Sequence, residues 1–90
     1  MANQIFNTVK EAVAHARGLL QGDIANYCDF QARGVRIVVE YNWDATRIDV
    51  KITTNSFDRI RHKTTSNSLS QKKAQEIIGD SKIKMVDCGL

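Results

Sequence analysis

Two stretches of this chain alternate, residue by residue, between an apolar row and a mostly polar one. Val35, Ile37, Val39 and Tyr41 alternate with Arg36, Val38, Glu40 and Asn42; Ile48, Val50 and Ile52 alternate with Arg47, Asp49, Lys51 and Thr53. A period of two marks strands with one buried face. Matching the apolar faces predicts an antiparallel hairpin, with Val39 opposite Ile48, Ile37 opposite Val50 and Val35 opposite Ile52. Its loop is then Asn42-Trp43-Asp44-Ala45. On the outer face this register pairs Glu40 with Arg47 and sets Arg36 opposite Lys51. Like charges across a pair are mildly unfavourable, so Arg36 and Lys51 join the candidates for contact with an anionic partner.

Helices are expected on either side of this hairpin. Ile5, Phe6, Val9, Ala12, Val13, Ala16, Leu19 and Leu20 recur every three or four residues and share one helix face. Thr8 and Glu11 have capping-box spacing, Asn3 offers an alternative, earlier cap, and Gly22 suits the stop. Gly18 inside the pattern costs about 1 kcal/mol against Ala, unless another element packs closely there. Asp23 to Phe30 reads as a short second helix, with Asp23 as cap. Phe57 to Thr65 reads as a polar edge strand, followed by a polar loop from Thr64 to Ser68. Ser70 then caps a helix ending at Gly79, with Leu69, Ala74, Ile77 and Ile78 on its buried face. Ile83 to Cys88 is a last strand. The expected fold is α+β: an antiparallel sheet of three to four strands, helices packed on one face, and the order α-(α)-β-β-β-α-β.

Ninety residues form a single domain, 1–90. The hydrophobic fraction of 42% and charged fraction of 26% are those of a folded globular chain. The N-terminus lacks the basic-then-apolar pattern of a signal peptide, and no apolar run approaches a membrane span. A cytoplasmic protein without membrane contact is the resulting expectation. Cys28 and Cys88 have no CxxC spacing and no His nearby, so they read as two free thiols, and no metal or other cofactor is expected.

The net charge of +3 is unevenly placed. Residues 1–50 hold five Lys/Arg against six Asp/Glu, and residues 51–90 hold eight against four. Between Asp58 and Glu76 there is no acid at all, while Arg59, Arg61, Lys63, Lys72 and Lys73 stand there with His62. Such a stretch attracts phosphate, or an acidic protein surface, over roughly 8–10 Å at physiological salt. It equally discourages edge-to-edge strand pairing. Ser66, Ser68 and Ser70, the free N–H groups of a helix start and Lys72 and Lys73 are all groups that bind phosphate oxygens. Trp43, in a hairpin loop, is a candidate contact anchor.

Three resemblances bear on function. Ser70-Gln71-Lys72-Lys73-Ala74-Gln75 resembles the start of the last helix of double-stranded RNA-binding domains, Ser-Lys-Lys-x-Ala-Lys, with Gln at two of the Lys positions. The Gly-rich loop before that helix and the His-bearing loop after the first strand are missing. Ser68-Leu69-Ser70-Gln71 before a Lys-rich helix, with an end at Val86-Asp87-Cys88, is similar to a type I anti-CRISPR family of small phage proteins. That resemblance implies an inhibitor that occupies a host nuclease complex by protein contacts. The order α-β-β-β-α-β is that of PD-(D/E)xK nucleases, with Asp49-Val50-Lys51 resembling the (D/E)-x-K element and Asp44 and Glu11 as further acids. It implies Mg²⁺-dependent cleavage. This chain departs from that pattern: there is no Pro-Asp, and Asp44 stands close to Asp49 in a loop.

The favoured expectation is a non-enzymatic binding protein, with no catalytic residues. It engages nucleic acid, or a nucleic-acid-binding protein complex, through Arg59, Arg61, Lys63, Lys72 and Lys73, assisted by Arg36, Lys51 and Trp43. The phage-type inhibitor and the metal-dependent nuclease are the alternatives.

Overall fold

The structure, a computed structural model, describes residues 4–89. Its elements are β1 (Ile5–Phe6), α1 (Val9–Gln21), β2 (Tyr27–Ala32), β3 (Val35–Tyr41), β4 (Ile48–Asp58), β5 (Lys63–Ser68), α2 (Gln71–Ile78) and β6 (Ile83–Gly89). The strands form one sheet in the order β1-β6-β2-β3-β4-β5, with every pairing antiparallel. The expected α+β class holds. Among the described residues the sheet has six strands, where three to four were expected, and four strands separate the two helices.

Of the two starts the sequence offers, the first helix takes the later, at Thr8; Asn3 lies outside the described residues. Thr8 Oγ1 accepts the Glu11 N–H at 3.1 Å, and Glu11 reaches back to the Asn7 N–H. Ile5 and Phe6, expected on the helix face, form β1 ahead of it. The helix ends in a Schellman motif: Ile24 N–H donates to Leu19 O at 2.9 Å, Asp23 N–H to Leu20 O at 3.2 Å, and Asp23 takes φ 57°. Asp23 therefore ends the first helix and caps no second one. At Gly18 nothing lies within 4 Å of where a Cβ would sit, so no close packing explains it. Gly18→Ala is accordingly expected to stabilise the protein by about 0.5–1 kcal/mol. Urea unfolding checks this, and an unchanged or lower midpoint refutes it.

The segment read as a short helix is instead β2, the strand between β6 and β3. Its side chains alternate: Cys28, Phe30 and Ala32 are buried, while Tyr27, Asp29 and Gln31 face the other way. A two-residue turn, Arg33 (φ 46°) and Gly34 (φ 76°), joins it to β3, the positive-φ pair that best suits a tight hairpin. The core lies between this face of the sheet and the helices. It contains Val9, Ala12, Val13, Ala16, Leu19 and Leu20 of α1, Ala74 and Ile78 of α2, and Phe30, Ile37, Val39, Ile52, Ile83 and Met85 of the sheet. Two polar ties hold the helices in place. Gln75 Oε1 accepts the Val9 N–H at 2.7 Å, and Tyr41 donates its hydroxyl to Leu20 O at 2.9 Å.

The expected hairpin exists, two residues out of register. Tyr41 pairs with Ile48, Val39 with Val50 and Ile37 with Ile52, and the loop spans Asn42 to Arg47. A slip of two keeps every apolar side chain on the same face. The outer face changes: Glu40 stands opposite Asp49, and Arg36 opposite Thr53, so the Arg36–Lys51 pair does not form.

The largest departure lies further on. Phe57 to Thr65 is no single strand. The chain turns at Arg59–His62, and the segment Thr64–Ser68, expected as loop, belongs to β5. The second helix starts and stops as expected, with Ser70 Oγ accepting the Lys73 N–H at 3.1 Å and Gly79 at φ 58°, but Ile77, expected on its buried face, is exposed.

Candidate functional site

β4 is longer than its neighbour β3. Val35, the first residue of β3, pairs with Thr54, so from Asn55 onward β4 is paired only to β5. Residues 55–66 therefore form a free two-stranded arm, and every residue in it is exposed. Four residues beyond Thr54 carry the strand roughly 13 Å past the sheet before the turn begins.

The tip is built by Asp58. Its Oδ1 accepts the N–H groups of Ile60 at 3.0 Å and Arg61 at 3.3 Å, and His62 closes the turn in the left-handed region at φ 51°. Arg59, Ile60, Arg61, His62 and Lys63 are thereby gathered at one end. Asp58 is the arm's single acid, and its ion pair with Arg61 is long, at 3.8 Å, and exposed. Arg59 and Lys63 have no ion-pair partner among the described residues. Two apolar side chains stand in water beside these cations: Ile60 is 93% exposed and Phe57 61%.

At the base of the arm, Asn55 and the β2–β3 turn frame an open cleft of about 410 Å³, lined also by Gln31, Arg33 and Arg36. Arg33 is exposed and unpaired among the described residues. Sequence reasoning missed Arg33 and the apolar tip. Arg33-Gly34 between two alternating runs was the available signal, concealed by reading the first run as a helix.

The other expected site residues are dispersed. Lys72 and Lys73 lie in the first turn of α2, at the opposite end of β5 from Lys63. Five strand steps separate Lys63 from Ser68, about 17 Å, which exceeds the Debye length of roughly 8–10 Å. The five cations thus make two clusters, and Lys73 of the second stands 3.7 Å from Glu76. Arg36 is held by Asp29, with guanidinium–carboxylate contacts of 2.9 and 3.2 Å; this hydrogen bonding, then the carboxylate's charge, raises its affinity for its proton. Lys51 pairs with Glu40 at 3.1 Å. Both cations are matched on the outer sheet face by carboxylates. Trp43 is 95% exposed, in the β3–β4 loop, at the end of β4 remote from the arm.

The nuclease arrangement is not assembled. Asp49 accepts from Arg47 Nε at 3.1 Å, and Lys51 is engaged by Glu40. Asp44 is tied into its own loop by the Thr46 hydroxyl at 2.7 Å, which lowers its pKa. Glu11 caps α1, on the opposite side of the sheet from Asp49. No group of three or more His, Cys, Asp or Glu side chains suited to a metal ion occurs among the described residues. No described helix is long and apolar enough to cross a membrane. In comparisons with protein-family models, curated proteins and solved structures, the chain matches none.

Proposed function

We propose that the chain is a binding protein for duplex DNA, with the β4–β5 arm as its reading head. The observation that carries this is the arm itself: an exposed two-stranded ribbon with Arg59, Arg61 and Lys63 at its tip and one acid. The B-form major groove, about 12 Å wide, admits a two-stranded ribbon. The A-form major groove of RNA is too narrow for one, so DNA fits this geometry better. Arg59, Arg61 and Lys63 would meet phosphates along the groove walls, and Arg33 at the base would meet the adjoining backbone. Ile60, exposed at the tip, would touch base edges or thymine methyls. Ser, Thr and Asn side chains along the arm (Asn55, Ser56, Thr64, Thr65, Ser66) add short hydrogen-bonding groups.

Fluorescence anisotropy with a labelled mixed-sequence duplex, titrated at several salt concentrations, tests this. Log affinity is expected to fall linearly with log salt, by about 0.9 for each phosphate neutralised. No binding even at low salt overturns the reading. A second reading, an inhibitor that blocks a nuclease complex by protein contacts, is favoured by one observation. Trp43, almost wholly in water and remote from the arm, is the kind of side chain that anchors protein interfaces.

A further inference from the structure

The two cysteines, 60 positions apart in sequence, are direct partners across β2 and β6: Cys28 pairs with Cys88. Residues directly opposite one another point to the same face, and both side chains join the hydrophobic core. Whether such a pair can be bridged depends on which kind of antiparallel site it occupies, and the backbone hydrogen bonds answer this twice. The Asn42 N–H donates to Arg47 O at 3.0 Å. By alternation, Val39 of β3 then directs its backbone groups towards β2, where its partner is Cys28. Cys28 therefore spends its backbone bonds on β3. From the other side, the Met85 N–H donates to Gln4 O at 2.9 Å, which turns Lys84 towards its partner Gln31 in β2. Counting back from Gln31 makes Asp29 and Tyr27 the residues bonded to β6, and again leaves Cys28 facing β3.

Cys28 and Cys88 thus form a non-hydrogen-bonded pair. In such pairs the Cα atoms lie about 4.5 Å apart and the side chains are closest. A disulfide spans Cα separations of about 4.4 to 6.8 Å. The strands are pinned beside the pair. The Tyr27 hydroxyl donates to Asp87 at 2.8 Å, and the Tyr27 ring lies so close to Gly89 that a Cβ there would come within 2.9 Å of it. The irregularity in the β2–β6 ladder falls beyond Asp29, outside the Cys28–Cys88 step.

We propose that Cys28 and Cys88 are a dithiol modification site, closed by small-molecule disulfides into an intramolecular bridge between β2 and β6. Cys88 is part-exposed and Cys28 is buried, so the reaction starts at Cys88. The Cys88 thiolate attacks one sulfur of a low-molecular-weight disulfide and expels one thiolate. The Cys28 thiolate then attacks the Cys88 sulfur of that mixed disulfide and expels the second. Two protein thiols lose two electrons and two protons. The reagent disulfide takes up both and leaves as two thiols. Burial, and then the neighbouring Cys88, push the Cys28 thiol up to about 11, so its attack is the slower of the two steps.

The test uses the whole chain. It is equilibrated in glutathione buffers of graded oxidised-to-reduced ratio, quenched in acid, alkylated with iodoacetamide after unfolding, and weighed intact. As the ratio rises, the expected product is an unalkylated monomer about 2 Da lighter than the dithiol form, which becomes doubly alkylated once it is reduced and treated with iodoacetamide again. Cys28→Ser is expected to stop at a glutathione adduct on Cys88. Wild-type protein that remains doubly alkylated at every ratio overturns the proposal, as does one that accumulates only the glutathione adduct or links into covalent dimers. The wild-type measurement stands whether or not the variant folds.

Discussion

A variant with Arg59, Arg61 and Lys63 all replaced by Gln is expected to bind duplex DNA about 100-fold more weakly than wild type near 0.15 M salt. If each side chain neutralises one phosphate, the three account for about 2.7 units of the slope of log affinity on log salt, and that share of the slope disappears with them. The fold should be indifferent, because all three side chains are exposed and none belongs to the core. Lys72→Gln with Lys73→Gln is the informative comparison. Those lysines lie on the far side of β5 from the tip, about 17 Å or more away, so the arm reading expects them to change the slope by much less than the arm triple does. Ile60→Ser separates groove entry from mere electrostatic attraction. It leaves the charge and therefore the salt slope unchanged, and weakens binding only if the tip touches bases. Equal loss from the arm triple and the Lys72/Lys73 pair would refute the arm as the reading head. Full affinity in the arm triple would do so more directly.

What could be read from the chain, and what could not, follows from which interactions set each element. Helix starts were legible because Thr8 and Ser70 announce themselves locally, each accepting a backbone N–H three residues on. The β3–β4 pairing was legible as a pairing but not as a register. Apolar matching is satisfied equally by slips of two residues, and the choice is made in the loop. There Asn42 Oδ1 accepts the N–H groups of Thr46 and Arg47, at 2.9 and 3.1 Å, and holds a six-residue connection. The β4–β5 turn was hidden because Arg-Ile-Arg-His contains none of the usual turn residues. Asp58 just before it supplies the turn chemistry through its side chain, and His62 accepts a positive φ. Without that turn the cations fall along one edge strand; with it they crown a projection. Lys72 and Lys73 stand near these cations in sequence but not in space, because β5 carries the chain away from the tip before α2 begins. The same limit concealed the Cys28–Cys88 pair, which depends on β6 inserting between β1 and β2.

Phe30→Ala is expected to destabilise the protein by about 3–5 kcal/mol, the usual cost of emptying a Phe site in a packed core. Small domains are stable by roughly 5–15 kcal/mol in total, so this one change removes a large part of the margin. The argument rests on where β2 lies. As the end of a surface helix, the position would be marginal to the core. As the inward residue of a strand flanked by β6 and β3, the Phe30 ring is fully buried, opposite Met85 on one side and Ile37 on the other. It also meets Phe6 edge-on, with ring centroids 5.6 Å apart, and Phe6 in turn packs against His15 of α1 at 4.9 Å. Removing the ring opens a cavity that three strands and a helix share. Sheet and helix backbones relax too little to fill it. Chemical unfolding followed by circular dichroism measures the loss. A change below about 1 kcal/mol, typical of surface sites, would place Phe30 outside the core and reject the six-stranded order. Phe30→Leu provides the control: it retains most of the apolar volume and should recover much of the stability, whereas a helical position at the surface would show no difference between the two variants.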